Sequence, residues 1–290
     1  IKNVHFPEDG DALKKARERM TFERLLVFQL AVEMLRLRRA GRRGRALKLD
    51  RGRVLAKCES LPYSLTGAQR RVLDEVLGDM QRPAAMARIV QGDVGSGKTV
   101  IALLCAYAAA CAGRQAAFMA PTELLARQHY RTAQAFFEGT GLKVAFLSGG
   151  MAEGEKEAAA ERIASGEADV IVGTHALIQE GVSFRSLGLA ITDEQHRFGV
   201  MQRAALEEKG ETCDVLVMSA TPIPRTLALI LYADMDVSVI DELPPGRKRT
   251  KTRLVPPGRR DDMYAFIGKQ AENGGQAYVI CPLVEESEEI

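Results

Sequence analysis

Apolar positions in the first forty residues recur mostly at steps of three and four, the spacing of one face of an α-helix. The pattern predicts one long amphipathic helix, or two, from Asp11 to Arg39. The next stretch, Leu37 to Lys57, contains three glycines and many arginines. Glycines interrupt helices, so we expect an exposed connector there.

From Tyr63 onward, short β-rich runs alternate with helical stretches, which predicts an α/β domain with a parallel sheet. Several runs are almost continuously apolar, as expected for strands that helices cover on both faces. The predicted strands span 87–91, 115–120, 143–147, 170–173, 189–192 and 215–219, and the predicted helices span 99–112, 123–137 and 153–165.

A stretch rich in proline, glycine and basic residues follows Asp241 and predicts a linker. Beyond it, 261–273 has a helical pattern and 276–284 has a strand pattern, so a second α/β unit begins there. We expect a helical lead-in with an Arg-rich connector over 1–60, a complete α/β domain over 61–245, and a linker with the incomplete start of another domain over 246–290.

Composition excludes several classes of protein. The five cysteines form no C-x-x-C pair, which disfavours a zinc site and a disulfide framework and favours a reducing, cytoplasmic setting. The longest apolar run, 100–112, is shorter than the roughly 18 residues of a membrane span. The opening IKNVHFPEDG lacks the layout of a signal peptide, and we expect the chain to be a segment of a longer protein.

Charge is informative only locally. The whole chain carries 40 basic and 38 acidic residues, which indicates nothing about nucleic acid. Between Arg36 and Lys57, however, ten basic side chains accompany a single acid, Asp50. Two interpretations stay open: the tract binds along a nucleic-acid phosphate backbone, or it is a solvated loop. The second is supported because no aromatic residues that could stack on bases lie within the tract. A second, weaker basic tract spans 247–260.

Residues 92–99, GDVGSGKT, fit the phosphate-binding pattern G-x-x-x-x-G-K-[ST] between a predicted strand and a predicted helix. Small glycines let backbone N–H groups surround phosphates at the positive end of the helix. We expect Lys98 to neutralise phosphate oxygens and the Thr99 hydroxyl to bind Mg²⁺. The other expected cradle residues are Gly92, Gly95, Ser96 and Gly97. The competing interpretation is a glycine turn before an ordinary helix.

A P-loop needs a second carboxylate for its magnesium ion, usually at the end of an apolar strand. The run over 189–192 ends in Asp193 and Glu194. We expect Asp193 to hold Mg²⁺ through water, and Glu194 to orient and deprotonate the attacking water. Two acids after an apolar run are also common in a solvated turn, but the P-loop upstream favours the catalytic interpretation.

Gln69 lies just ahead of a predicted helix, where its amide can pair with the donor and acceptor edge of adenine. The alternative is a solvated glutamine at a helix start. Tyr63 either stacks on the same base or packs in the core.

Five segments resemble, in order, motifs I, Ia, Ib, II and III of superfamily 2 DNA helicases: GDVGSGKT, APTELLARQH, VGTHALIQE, DEQHRFGV and MSATPIPRTLAL. With DELPPGR and YVICPLVEESEE, they resemble the RecG-type family more than the transcription-repair coupling translocases. The likeness runs from about residue 61 to the C-terminus, and more weakly through HFP and RERMTFERLLVFQLA. It implies a RecA-like sheet, ATP and Mg²⁺ as cofactors, and branched or duplex DNA as partner. It also implies a cytoplasmic, monomeric helicase that remodels replication forks and Holliday junctions in recombination and repair.

The resemblance also assigns roles to residues. It implies that Lys98 and Thr99 bind nucleotide and magnesium, and that Asp193 and Glu194 form the acid pair. It implies that His196 links this site to motif III, which is Ser219, Ala220 and Thr221. It implies DNA-backbone contacts for Pro121, Thr122, Glu123, Gly173, Thr174 and His175. Thr122 and Thr174 are equally explained as helix caps, and His196 alone as a structural residue.

In such helicases a second RecA-like domain supplies an arginine that stabilises the transferring phosphoryl group. Motifs IV to VI and the N-terminal wedge domain of the family have no counterpart in this sequence. We therefore expect these 290 residues to bind nucleotide and hydrolyse it slowly by themselves. Two alternatives stay open: a duplex translocase of the transcription-repair type, and a nucleotide-sensing module without turnover. The presence of Glu194 argues against the sensor.

Overall fold

The computed structural model describes residues 2–40, 46–179, 181–193, 213–220, 235–242 and 251–280. The chain divides into two compact units, Ile1–Pro245 and Gly246–Ile290.

The first unit is built on a parallel sheet of seven strands in the order β3-β4-β2-β5-β6-β1-β7. The strands are β1 (Ala87–Gly92), β2 (Gln115–Met119), β3 (Val144–Leu147), β4 (Val170–Gly173), β5 (Leu187–Asp193), β6 (Asp214–Ser219) and β7 (Asp236–Ile240). All six predicted strands are confirmed. Strand β7 was not predicted, because this edge strand is only half buried and its short run DVSVI has no continuous apolar signal.

Helices flank the sheet. The α-helices among the described residues of this unit are α1 (Lys2–His5), α2 (Gly10–Ala40), α3 (Arg51–Glu59), α4 (Gly67–Met80), α5 (Lys98–Cys111), α6 (Glu123–Phe137) and α7 (Glu153–Ala164), with a 3₁₀ helix at His175–Ile178. Alternate strand residues enter two different cores. Val90 and Phe118 pack with α4 and α5, whereas Ile89 and Met119 pack in the core that contains α7 residues. The predicted α/β class is thereby confirmed.

The predicted long helix near the N-terminus is a single one, α2, of 31 residues. Its apolar positions Leu26, Leu30 and Met34 are exposed. In the part of the chain that the structure describes, no helix combines the length and the apolar character needed to cross a bilayer.

The prediction of an exposed connector between Leu37 and Lys57 is wrong for its second half, where helix α3 forms. Asp50 caps this helix by accepting a hydrogen bond from the backbone N–H of Arg53 at 3.1 Å. Val54 is 1% exposed, so burial of an apolar side chain offsets the low helix propensity of Gly52. The role of the basic tract stays open, and residues 41–45 lie outside the described part of it.

A buried ionic cluster joins α4, β1 and β7. The Arg88 guanidinium donates to Asp79 Oδ2 at 2.6 and 2.8 Å and to the Ser238 hydroxyl at 2.8 Å. Glu75 Oε2 lies 3.4 Å from the same guanidinium and accepts from Ser238. The side chains of Arg88 and Asp79 are 11% and 8% exposed. Edge strand β7 is therefore fixed to the domain by charge as well as by backbone pairing with β1.

The second unit contains a 3₁₀ turn at Pro257–Arg259 and helix α8 (Arg260–Glu272). The helix predicted over 261–273 is confirmed. The strand predicted over 276–284 does not form over 276–280, where no strand among the described residues of this unit provides hydrogen bonds, and 281–284 lie outside the described residues.

Candidate functional site

The sequence-predicted site residues follow the carboxyl ends of the strands, and a parallel sheet places all these ends at one edge. Strands β1, β6 and β5 are adjacent and end in the P-loop, Ser219 and Asp193. Strands β2, β4 and β3 are adjacent on the other side, and Pro121 and Gly173 lie at the ends of β2 and β4. The edge thus has one half that carries the predicted nucleotide contacts, the nucleotide half, and one that carries the predicted DNA contacts, the DNA half.

The P-loop turns sharply between β1 and α5. Gly95 and Gly97 have φ angles of +76° and +89°, a region that side-chain-bearing residues rarely adopt. Helix α5 begins at Lys98, whose side-chain ammonium donates to the backbone oxygens of Gly92 at 2.7 Å and Asp93 at 2.9 Å. The loop therefore curls around a cation at a helix N-terminus, the arrangement that binds phosphates.

The glycines are also required by space. A Cβ atom on Gly92 would lie 2.6 Å from Ser96 Oγ, and one on Gly97 would overlap the amide nitrogen of Gln69. Ser96 Oγ is buried and has no hydrogen-bond partner among the described residues. A polar cradle without side-chain bulk and with an unsatisfied hydroxyl fits a phosphate chain.

The Gln69 side chain is 3% exposed and makes two hydrogen bonds within the protein. Its Oε1 accepts from the backbone N–H of Thr66 at 2.9 Å, which completes a capping box at the start of α4. Its Nε2 donates to the backbone oxygen of Ser96 at 2.8 Å. Gln69 thus connects α4 directly to the P-loop, and its contact with adenine stays a prediction.

A cavity of about 730 Å³ opens beside the P-loop, which is within the usual size range of small-molecule sites. Gly97 and Thr99 line it on one side and Phe136 of α6 on another. Gln69 and Tyr63 also line it, and Tyr63 is 53% exposed, so this ring is not a core residue. The cavity offers apolar walls next to the phosphate cradle.

Asp193 ends strand β5 opposite Met218 of β6. Only β6 separates β5 from β1, so the strand that carries Asp193 lies about 10 Å from the strand that leads into the P-loop. A carboxylate and the Thr99 hydroxyl are oxygen donors of the kind that Mg²⁺ prefers. The Thr99 hydroxyl and the Asp193 carboxylate therefore fit a Mg²⁺ ion that Asp193 binds through water. The predicted residues Glu194, His196 and Thr221 lie outside the described residues.

His129 was missed by sequence reasoning and contacts Asp193. Its Nε2 lies 2.7 Å from Asp193 Oδ2. The sequence could have indicated this residue by its position in the helix, because His129 lies on the same buried face of α6 as Ala126 and Ala133. A titratable residue on an apolar helix face needs a polar partner. The sequence pattern did not reveal which partner the fold would bring to it.

The two threonines of the predicted DNA contacts differ. Thr122 caps α6, since its hydroxyl accepts from the backbone N–H of Leu125 at 3.4 Å. Thr174 precedes the 3₁₀ helix that begins at His175, and its side chain makes no capping hydrogen bond. Pro121 and Ala220 are half-buried at the same edge, and Ser219 is buried at the end of β6.

A loop after β3 belongs to this edge and was also missed. Gly149 and Gly150 are exposed, and the Glu123 carboxylate packs against Gly150. Hydrogen bonds from Arg127 and from the Gly150 backbone lower the pKa of Glu123. Two glycines directly after a predicted strand were the available signal. The start of α6 is thereby connected to the end of β3.

Replacing Gly173 by alanine is expected to destabilise this edge by about 1 to 3 kcal/mol. The added Cβ would overlap the backbone oxygen of Leu147, the residue paired with Gly173 between β3 and β4. Urea denaturation measures the change. The matched control is Gly149→Ala, whose Cβ meets nothing within 4 Å and which should stay within about 0.5 kcal/mol. Equal stability of the two variants would contradict the close approach of β3 and β4.

Comparisons with known proteins agree on one group. The model of the DEAD/DEAH box helicase family matches residues 66–230. ATP-dependent DNA helicase RecG of Bacillus subtilis (strain 168) is 48% identical over 100% of this chain and 43% of its own length. The RecG of Thermotoga maritima is 48% identical over 99% of this chain and 37% of its own length.

A solved structure of RecG bound to a three-way DNA junction superposes with a TM-score of 0.85 at 45% identity. The match covers 97% of this chain and 38% of that one. This chain therefore spans about two fifths of the length of these relatives.

Proposed function

Since this chain belongs to the DEAD/DEAH box helicase family, we propose that it is the ATP-binding part of an ATP-dependent DNA helicase that remodels branched DNA. The resemblance to RecG-type helicases and the RecA-like fold are confirmed. The observation that supports the proposal most is the shared sheet edge, where the P-loop and Asp193 lie beside the ends of β2, β4 and β3. Replication forks and Holliday junctions in recombination and repair are the proposed substrates.

In the nucleotide half, Lys98 and the backbone N–H groups of the P-loop bind the phosphates, and Gln69 keeps the loop attached to α4. Thr99 and Asp193 would hold Mg²⁺, and the ion would supply neutralisation of the charge that develops on the transferring phosphoryl group. Glu194 orients and deprotonates the attacking water. His196 relays the state of this site to Ser219, Ala220 and Thr221.

In the DNA half, Pro121, Thr122, Gly173, Thr174 and His175 contact the phosphate backbone. Loops at strand ends present backbone N–H groups and hydroxyls, which bind phosphates without reading base sequence. Such contacts suit a motor that moves along DNA of any sequence. The related structure bound to a three-way junction supports branched DNA as the partner.

We propose a catalytic cycle in which two RecA-like domains close on ATP and DNA and reopen after hydrolysis. These 290 residues alone bind nucleotide and turn it over slowly, because the stabilising arginine comes from the second domain. The described cysteines are thiols and not disulfides, which supports a proposed cytoplasmic location. We propose that the motor works as a monomer.

The DNA half is tested with Thr174→Ala, which removes a hydroxyl that makes no capping bond. We expect the 290-residue chain to bind a fluorescent three-way junction and the variant to bind it about 2- to 10-fold more weakly, the value of one hydrogen bond. Fluorescence anisotropy at a fixed salt concentration measures both affinities, because phosphate contacts depend strongly on salt.

The matched control is Thr140→Ala. Its hydroxyl donates to the Phe137 backbone oxygen at the opposite end of α6, so this variant should bind the junction normally. If the chain bound no junction, or if both variants bound it equally, the proposed DNA edge would be wrong.

A further inference from the structure

Helix α6 carries a buried histidine against the carboxylate that we assign to Mg²⁺. His129 Nε2 lies 2.7 Å from Asp193 Oδ2, and the two side chains are 9% and 14% exposed. An ionised carboxylate only accepts hydrogen bonds, so Nε2 carries the proton and donates it. We propose that His129 is a positioning residue that holds the Asp193 carboxylate in the orientation that Mg²⁺ requires. This inference rests on the proposed function of the site.

The histidine ring is itself held in place. The Phe118 ring of β2, 1% exposed, lies against it at 4.6 Å between centroids with a tilt of 41°. His129 shares the buried face of α6 with Ala126 and Ala133, both 0% exposed. A ring packed on these sides has little freedom to rotate, so the direction of its N–H is fixed.

A fixed donor restricts the carboxylate that accepts from it. The hydrogen bond is charge-assisted and largely shielded from water, both of which strengthen it. In metal sites, partners that orient a ligand in this way typically change metal affinity about 10- to 100-fold when removed. Because His129 holds Oδ2, the orientation of the Asp193 carboxylate about its Cβ–Cγ bond is fixed before Mg²⁺ binds.

The same helix begins at the DNA half of the edge. Thr122 caps its first turn, and Glu123 is connected to the loop after β3. Seven residues separate Thr122 from His129, about 10 Å along the helix axis. A rigid displacement of the α6 N-terminus would therefore also displace the group that donates to Asp193.

The test measures Mn²⁺, a spectroscopic substitute for Mg²⁺, rather than turnover. Electron paramagnetic resonance of the 290-residue chain with ADP gives the Mn²⁺ dissociation constant. We expect His129→Leu to raise this constant about 10-fold or more. ADP affinity in EDTA, which reports the P-loop alone, should not change.

Rescue separates positioning from packing. A glutamine side chain is about as long as histidine to its terminal nitrogen, so His129→Gln can still donate to Asp193 and should bind Mn²⁺ within about threefold of the unsubstituted chain. Asparagine is too short, so His129→Asn should behave like the leucine variant while remaining polar. Gln128→Leu, on the exposed side of α6, is the matched control and should change nothing.

Each outcome is decisive. Unchanged Mn²⁺ affinity in His129→Leu, or equal losses in the Gln and Asn variants, would overturn the inference alone, provided that the unsubstituted chain binds Mn²⁺ and ADP. If His129→Leu does not fold, the Gln and Asn pair gives the same comparison. Absence of Mn²⁺–ADP binding in the unsubstituted chain would overturn the proposed function and the inference with it.

Discussion

Replacing Lys98 by alanine is expected to weaken ATP binding at least about 30-fold, because truncating one member of a buried, hydrogen-bonded charge pair costs roughly 2 to 5 kcal/mol. Lys98 is 9% exposed, and its ammonium points into the P-loop, where it donates to the oxygens of Gly92 and Asp93. In the proposed site, this cation and the backbone N–H groups of the P-loop replace the hydration that the phosphates lose. A neutral methyl group at the same place leaves them without it.

Titration with a fluorescent ATP analogue measures this effect. Thermal unfolding of the variant is measured in parallel, because Lys98 also satisfies two backbone oxygens and its loss can loosen the loop. Lys143→Ala is the control, since this lysine is 57% exposed in an ion pair with Glu167 and should bind nucleotide normally. A folded Lys98→Ala chain that binds ATP within threefold of the unsubstituted one would refute the phosphate assignment.

Replacing Arg88 by methionine is expected to lower the free energy of unfolding by about 3 to 5 kcal/mol. The substitution keeps much of the side-chain volume but leaves the Asp79 carboxylate, 8% exposed, without its buried partner. It also removes the donor that Ser238 of β7 accepts from. The edge strand beside β1 should loosen, and the urea midpoint should fall with little change of slope.

Two variants test that explanation. Arg82 also pairs with Asp79, at 2.9 Å, but its side chain is 70% exposed, so Arg82→Ala should cost at most about 1 kcal/mol. The double variant Arg88→Met with Asp79→Leu removes both buried charges and should recover a large part of the lost stability. Failure of the double variant to recover any would mean that shape, not charge, makes Arg88 necessary.

Sequence patterns predicted the elements whose signals are local. The first six strands are buried on both faces, and the P-loop is a contiguous motif between a strand and a helix. Helix α3 was not predicted, because its formation depends on the burial of Val54 and on a capping hydrogen bond that Asp50 accepts from the backbone N–H of Arg53. The attachment of β7 to the domain involves the hydrogen bond between Ser238 and Arg88, which lies about 150 residues earlier in the chain.

In the site, too, local motifs were predicted and contacts between distant residues were not. Local motifs were enough to predict roles for Lys98 and Asp193, but the contact between His129 and Asp193 joins residues 64 positions apart. Only the pairing of β2 with β5 and the packing of α6 bring them together. For Gln69, the sequence indicated the start of a helix, yet not that the amide would be bonded to Thr66 and to the P-loop.

The strand order also determines when the parts form during synthesis on the ribosome. Strands β2, β3 and β4 are neighbours and are complete once residue 173 has been made. Strand β1, although first in the chain, pairs only with β6 and β7, and Ile240 pairs with Gly92 about 150 residues later. At 5 to 20 residues per second, the apolar strand before the P-loop waits roughly 8 to 30 s for its partners. The phosphate cradle is thus among the last parts of the domain to assemble, and both backbone edges of β1 stay without their partner strands until then.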